Sequence, residues 1–279
     1  MSSVPSPRAL TATIVVVGPP ERTREALDVL HAIARRASVR NILITLGDNP
    51  EPEIRTEGDV VTIEGLVPRY LNNAVARLRV SSMPLLAWWR GGQRQELEDL
   101  AELVDRVALD SVDPREDWAV VDAIARMAAI SDLRWTRLTR WRSLMAQFFD
   151  TPETRASGLV FSTLKIAAGD AHAGRLFAGW LASRLPAGDR LNVTLTDVEG
   201  GATIESVTLS GGDTRLSLRL LANRDCIESA VAQDGQVTAS RIGPAGDERL
   251  EALLGEELRV RSRDVAFEEA LRLMRVVHD

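Results

Sequence analysis

The sequence predicts two domains of different class: an α/β N-terminal domain with a mostly parallel sheet over residues 1–155, and an α+β C-terminal domain with an antiparallel meander over 156–279. Three observations predict this. At 279 residues the chain exceeds the usual size of a single hydrophobic core. Its first half alternates continuous apolar runs with helical segments, as strands buried on both faces do. Its second half turns to short alternating runs bounded by turn dipeptides, which are hairpin signals.

In order, the apolar run from Thr11 to Val17 is a strand. A helix follows from about Glu21 to Ala37, with Leu27, Leu30 and Ile33 on one side. Arg40 to Leu46 and Asp59 to Val67 are further strands, and the polar stretch Asp48–Gly58 between them reads as a loop. A helix over Arg69–Ser81 leads into the strand MPLLAWW. ELEDLAELVD, a helix, leads into RVALD at Arg106–Asp110. A last helix is expected from Pro114, a residue suited to a first turn, to Ile130. The expectation is a sheet of about five strands. Asp132–Asp150, DLRWTRLTRWRSLMAQFFD, reads as one long helix, and TPETRASG after it supplies the boundary.

In the second half, a helix spans Ala171–Leu185. Gly211-Gly212 and Asp234-Gly235 then mark tight turns between alternating runs, because those residue types tolerate positive φ. A closing helix, Asp264–Val277, carries Phe267, Leu271 and Met274 at core-facing spacing, with Asp264 as N-cap.

Composition narrows the function. The net charge of −6 and pI near 5.3 oppose binding to a nucleic acid backbone. No apolar run approaches the roughly 20 residues that span a membrane, and MSSVPSPRAL has neither the basic start nor the apolar middle of a secretory signal, so the expected location is the cytoplasm. Among the basic residues Lys165 is the single lysine, and Cys226 is the single cysteine, which excludes an internal disulfide and any multi-cysteine metal site.

Motifs for chemistry are missing where they would be needed. The first strand ends in VVVGPPERTRE, with one glycine where a dinucleotide fingerprint has three. Pro19 and Pro20 there lack the amides that would cradle a pyrophosphate. Asp48, placed where a ribose-binding acid could lie, stands alone. There is no GxxxxGK[ST], GxSxG or HExxH. His31, His172 and His278 are scattered, and Glu96, Glu98, Asp99 and Glu102 read as a solvated helix face. No catalytic, cofactor or metal residues are therefore assigned.

Two segments carry more. MPLLAWWRGG ends a parallel-type strand, and alternation must send Trp88 and Trp89 to opposite faces. Trp and Arg dominate binding hot spots, so Trp88, Trp89 and Arg90 are assigned to partner contact. The alternative is a small-molecule or sugar-phosphate enzyme with an anion site at the Arg90–Gly92 turn. On the Asp132–Asp150 helix, Leu144, Phe148, Trp141, Met145, Leu138, Phe149 and Trp135 cover an arc of roughly 180°, against the ~100° of an ordinary amphipathic helix. That surplus suggests a docking face formed by Trp135, Arg137, Arg140, Trp141 and Arg142.

MPLLAWWRGG, LVDRVALDSVDP at Leu103–Pro114, DLRWTRLTRWRSLMAQFFD, and RLFAGWLASRL at Arg175–Leu185 occur in the order seen in the OpcA-type glucose-6-phosphate dehydrogenase assembly proteins, a family this chain closely resembles. The resemblance implies a non-catalytic accessory that binds glucose-6-phosphate dehydrogenase, promotes its active oligomer and supports the oxidative pentose phosphate pathway and NADPH supply. Cyanobacterial members are associated with redox regulation of that enzyme. With Cys226 alone, thiol control here would be intermolecular or reside in the enzyme. An adaptor for another protein or a glycan is the remaining reading.

Overall fold

The computed structural model describes residues 11–110, 121, 123–150, 161–186, 188–260 and 262–274. The chain forms two compact units, Met1–Leu133 with Arg249–Arg263, and Arg134–Glu248 with Asp264–Asp279. The division thus falls at Leu133/Arg134 and not at the expected 155/156. The aromatic helix segment belongs with the meander, and a stretch near the C-terminus rejoins the first unit. The expected boundary stretch TPETRASG lies outside the described residues.

Unit 1 opens with β1 (Ala12–Gly18), which is buried throughout, and α1 (Pro20–Ala34). β2 (Val39–Asn49), β3 (Glu53–Glu57) and β4 (Val60–Leu66) follow, then α2 (Leu71–Leu78), β5 (Leu85–Trp89), α3 (Arg94–Ala101), β6 (Arg106–Leu109) and β7 (Ala129–Asp132). Their strands form a seven-stranded sheet in the order β3-β4-β2-β1-β5-β6-β7. All neighbours are parallel except the β3–β4 hairpin. Two strands therefore exceed the expected five. β3 lies in the stretch read as a loop, and β7 occupies what was read as the end of the Pro114–Ile130 helix. Of that helix, residues 111–120 lie outside the described ones.

Starting from β1, the order runs outward through β2 and β4 on one side and β5, β6 and β7 on the other. This is the doubly wound arrangement, and its topological switch point lies between β1 and β5. One face buries Ile14, Val16, Leu43, Leu86 and Trp88 against Ala26, Val29, Leu30 and Ile33 of α1.

Unit 2 takes up the short helix α4 (Leu133–Arg137), whose first residue is counted with unit 1, then α5 (Thr139–Gln147). β8 (Thr163–Ala168), α6 (Ala171–Arg184), β9 (Asn192–Asp197), β10 (Ser206–Gly211), β11 (Thr214–Leu220), β12 (Cys226–Gln233) and β13 (Gln236–Pro244) follow. The chain returns to unit 1 with α7 (Leu250–Glu257), whose Leu253 and Leu254 join the α1-side core. It ends, among described residues, with α8 (Val265–Met274) of unit 2.

The second sheet runs β13-β12-β11-β10-β8-β9, antiparallel except for β8–β9. The expected turns are present: Gly212 and the pair Asp234-Gly235 have positive φ. Alternation makes the sheet two-sided. Leu164, Ile166, Val207, Leu209, Leu216, Leu218 and Ile227 are buried, while their neighbours Lys165, Arg215 and Arg219 are exposed.

Helices α6 and α8 pack closely because Gly179 has no side chain. A Cβ there would collide with the Ala270 carbonyl and sit 2.8 Å from the Met274 nitrogen. The lone Cys226 is a free thiol at intermediate exposure. Among the described residues no helix is long and apolar enough to cross a membrane.

Candidate functional site

The place to look for chemistry in unit 1 is the switch point, where doubly wound sheets hold ligands outside the carboxyl ends of their strands. Here it is filled by the protein itself. The Arg90 N–H donates to the Val17 carbonyl at 2.7 Å, so the β1–β5 ladder continues past Trp89. Gly18 lies so close to the turn that a Cβ on it would stand 2.8 Å from Arg90 Cβ. Pro19 occupies the N-cap of α1 and Pro20 its first turn. The Arg22 amide is already bonded to the Pro19 carbonyl at 3.0 Å. Pro19 and Pro20 have no amide to offer, and the amides of Arg22 and Thr23 are bonded to the Pro19 carbonyl, so this turn lacks the amide cradle of a dinucleotide-binding loop.

Alternation sends the two indoles apart as the sequence indicated. Trp88 enters the α1-side core, and Arg90 lies over its ring, 4.7 Å from the centroid. Trp89 packs beneath Gly92, where an added Cβ would meet its ring at 2.7 Å. Gly92 has φ of 147° and Gly91 133°, a backbone only glycine adopts without strain, so both glycines serve this turn.

Arg90 is already committed. Its Nη2 donates to Glu25 at 3.1 Å, Nη1 to Asp110 at 3.4 Å and Nε to the Arg22 carbonyl at 3.2 Å. An anion arriving at Arg90–Gly92 would have to compete with Glu25 and Asp110 for the guanidinium.

In unit 2 the family-like segment is a clasp. Arg134, buried, pairs through Nε with Asp170 at 2.6 Å, and Asp170 also caps α6 by accepting from the His172 and Ala173 amides. Trp135 Nε1 donates to Asp264 at 2.7 Å, while the other oxygen of Asp264 caps α8 through the Phe267 amide at 3.0 Å. Two neighbouring residues of α4 thus hold the N-termini of both helices that pack on one another.

Arg142 stacks over Trp135 at 3.6 Å, Trp135 packs on Phe267 with centroids 5.6 Å apart, and Arg140 donates to the Pro244 carbonyl at 2.9 Å. His172 is held below the ordinary histidine pKa, first by burial and then by the Arg134 charge, with Asp170 pulling the other way.

The expected docking residues therefore divide. Trp88, Trp89, Trp135 and Trp141 are 0%, 3%, 2% and 2% exposed, so they belong to the two cores and present no surface. The wide apolar arc is largely buried: Leu138, Trp141, Leu144 and Met145 are buried and Phe149 lies edge-on to Phe161. The segment is also not one helix, since α4 and α5 are separate and Asp132 ends a strand. Arg90 is mostly buried, while Arg137, Arg140 and Arg142 are half-buried.

Sequence reasoning named Asp264 as a cap but missed its bond to Trp135, and missed the Arg134–Asp170 pair. The signal was an acid directly before each of two helices, combined with an Arg-Trp pair in a segment too polar for its depth. In unit 1, Arg106 and Glu257 form a buried ion pair at 3.5 Å, and Arg106 also donates to the Ser262 carbonyl.

Known proteins share this architecture. Among solved structures, an aldose-aldose oxidoreductase of Caulobacter crescentus aligns over 96% of this chain and 95% of its own, with a TM-score of 0.54 and 11% identity. A Bacillus subtilis protein provisionally described as the oxidoreductase yvaA aligns over 97% and 95%, with a TM-score of 0.56 and 9% identity. At such identities these show the fold alone.

By sequence, a Synechocystis protein provisionally named OxPP cycle protein OpcA is 27% identical over 124 residues, 41% of this chain and 26% of that one. The similarly named Nostoc punctiforme protein is 27% identical over 124 residues, 41% and 27%. The alignment spans about a quarter of the length of these relatives. The family model OpcA_G6PD_C, which describes the C-terminal domain of a glucose-6-phosphate dehydrogenase subunit, matches residues 128–271, from the start of β7 through the clasp and the meander into α8. With more than half of its length under that match, including both clasping residues and both helices they hold, the chain belongs to the OpcA family.

Proposed function

We propose that this chain is a non-catalytic accessory protein that binds glucose-6-phosphate dehydrogenase and promotes its assembly or activation, supporting the oxidative pentose phosphate pathway and NADPH supply in the cytoplasm. The family description and the relatives' names support the partner. The observation that supports the non-catalytic reading is the turn at the switch point: in a sheet of doubly wound topology, Pro19 and Pro20 withhold two amides and Arg90 is tied to Glu25 and Asp110. An accessory of this kind shifts the enzyme's equilibrium by its differential affinity for the active form and no further, so activation saturates at a fixed stoichiometry.

Of the docking residues read from the sequence, the half-buried Arg137 and Arg140 stay in the proposal as partner contacts. The tryptophans leave it. Titrating the purified chain into its own dehydrogenase tests the function: activity rises to a plateau, or the enzyme elutes at larger size. No change in either defeats the reading. Arg137→Glu and Arg140→Glu at unchanged melting temperature are expected to weaken the effect.

A further inference from the structure

The face of the second sheet opposite its buried leucines exposes Lys165, Arg215, Val237 and Ile242, and its chemistry is specific. Pairing across the strands sets Lys165 of β8 opposite Thr208 of β10, itself opposite Ser217 of β11. One row over, Thr163, Ser210 and Arg215 line up in the same way. Lys165 and Arg215 are exposed and have no ion pair among the described residues. The nearby Arg219 differs, because Glu228 neutralises it at 2.7 Å.

At the β13 end, a bulge opposite Val231/Ala232 resets the alternation, so that Val237 and Ile242 both fall on this face, 65% and 64% exposed. An overall acidic chain thus displays on this sheet face, among the described residues, two cations without an ion pair, set among hydroxyls with an apolar margin.

We infer that this face docks an acidic protein surface, one presenting carboxylates to Lys165 and Arg215 and an apolar patch to Val237 and Ile242. The inference rests on the proposed function and names a surface, apart from Arg137 and Arg140, by which the dehydrogenase would also be held. The size suits a protein. Six strands about 4.8 Å apart, with three rows of outward side chains, give on the order of 500 Å² in projection, a large part of the ~800 Å² a stable partner covers.

Charge chooses the occupant. A second copy whose two-fold axis passes through the Lys165–Arg215 patch would bring cation against cation, a costly like-charge contact. Two free cations on a chain of net charge −6 are too few for a nucleic acid backbone.

Because Lys165 is the only lysine, amine-reactive labelling reads this face alone once the N-terminal amine is separated by peptide mapping. Saturating dehydrogenase is expected to slow Lys165 labelling at least ~10-fold. The double variant Lys165→Glu/Arg215→Glu, at exposed positions and with wild-type circular dichroism, is expected to raise the Kd at least ~10-fold. Raising salt should weaken the wild type more than the variant.

If the dehydrogenase binds while Lys165 labels at its free rate and the double variant binds normally, the surface assignment is wrong and the proposed function survives. If the dehydrogenase does not bind at all, both fall together. A homodimer that protects Lys165 without the enzyme also overturns the assignment.

Discussion

Arg134 shows why a charged side chain can be more structural than any neighbouring indole. It is buried and its Nε lies 2.6 Å from Asp170, whose side chain is only 22% exposed and already caps α6. Replacing Arg134 with Met would leave that carboxylate without its main counter-charge, and breaking one half of such a pair costs about 3 kcal/mol or more. Urea midpoints of Arg134→Met should fall accordingly, and an unchanged midpoint would show the pair to be dispensable.

His172 sits beside the same pair with its pKa lowered. The unfolded chain takes up this proton near pH ~6.5, whereas the folded chain resists it. The histidine's contribution is therefore complete above that value and is lost as pH falls from there toward its lowered folded pKa. Stability should drop as pH falls below ~6.5, the unfolded-chain value, and His172→Gln should make the drop smaller. If both proteins lose the same stability over that interval, the histidine is not the group responsible.

At the scale of elements, the α6–α8 contact depends on one missing methyl. Gly179→Ala improves helix propensity by about 1 kcal/mol, yet its Cβ would meet the backbone at Ala270 and Met274, where no side chain can swing away. Overpacking of this sort costs about 1–3 kcal/mol, so net destabilisation is expected by thermal melt, and a stabilised variant would show that the helices separate freely.

Elements were legible in proportion to how local their cause is. β1, the turns at Gly212 and Asp234-Gly235, and the Asp264 cap follow from a few adjacent residues and stand where the sequence puts them. β3 was not legible because Glu53–Glu57 is exposed along its whole length. It is a strand only by pairing with β4, and no apolar alternation marks it. β7 was missed because Ala129–Asp132 extends a helix-like pattern, and only its ladder with β6 makes it extended. The break between α4 and α5 likewise follows from Arg134 and Trp135 each reaching an acid far along the chain, at Asp170 and Asp264.

For the whole molecule, the same limit governs the site. A wide apolar arc looks identical whether the chain itself or a partner will cover it, and here Trp135 and Trp141 are buried, Trp135 against Phe267 and Asp264. The failure of the dinucleotide motif, by contrast, was readable at once from Gly18, Pro19 and Pro20, since missing amides cannot be restored by packing.

A doubly wound sheet makes a dinucleotide the natural suspicion, so the expectation that the chain binds none is its most exacting prediction. A ligand at 100 times its Kd stabilises a protein by ~2.7 kcal/mol, which for domains of this size moves the melting temperature by roughly 5–10 °C. The isolated chain should melt at the same temperature with or without millimolar NADP+, NAD+ or glucose 6-phosphate, while the dehydrogenase in a parallel sample shifts. A shift of several degrees in the isolated chain would mean that Arg90 leaves Glu25 and Asp110 to open the crevice. The chain would then have to be read as an enzyme.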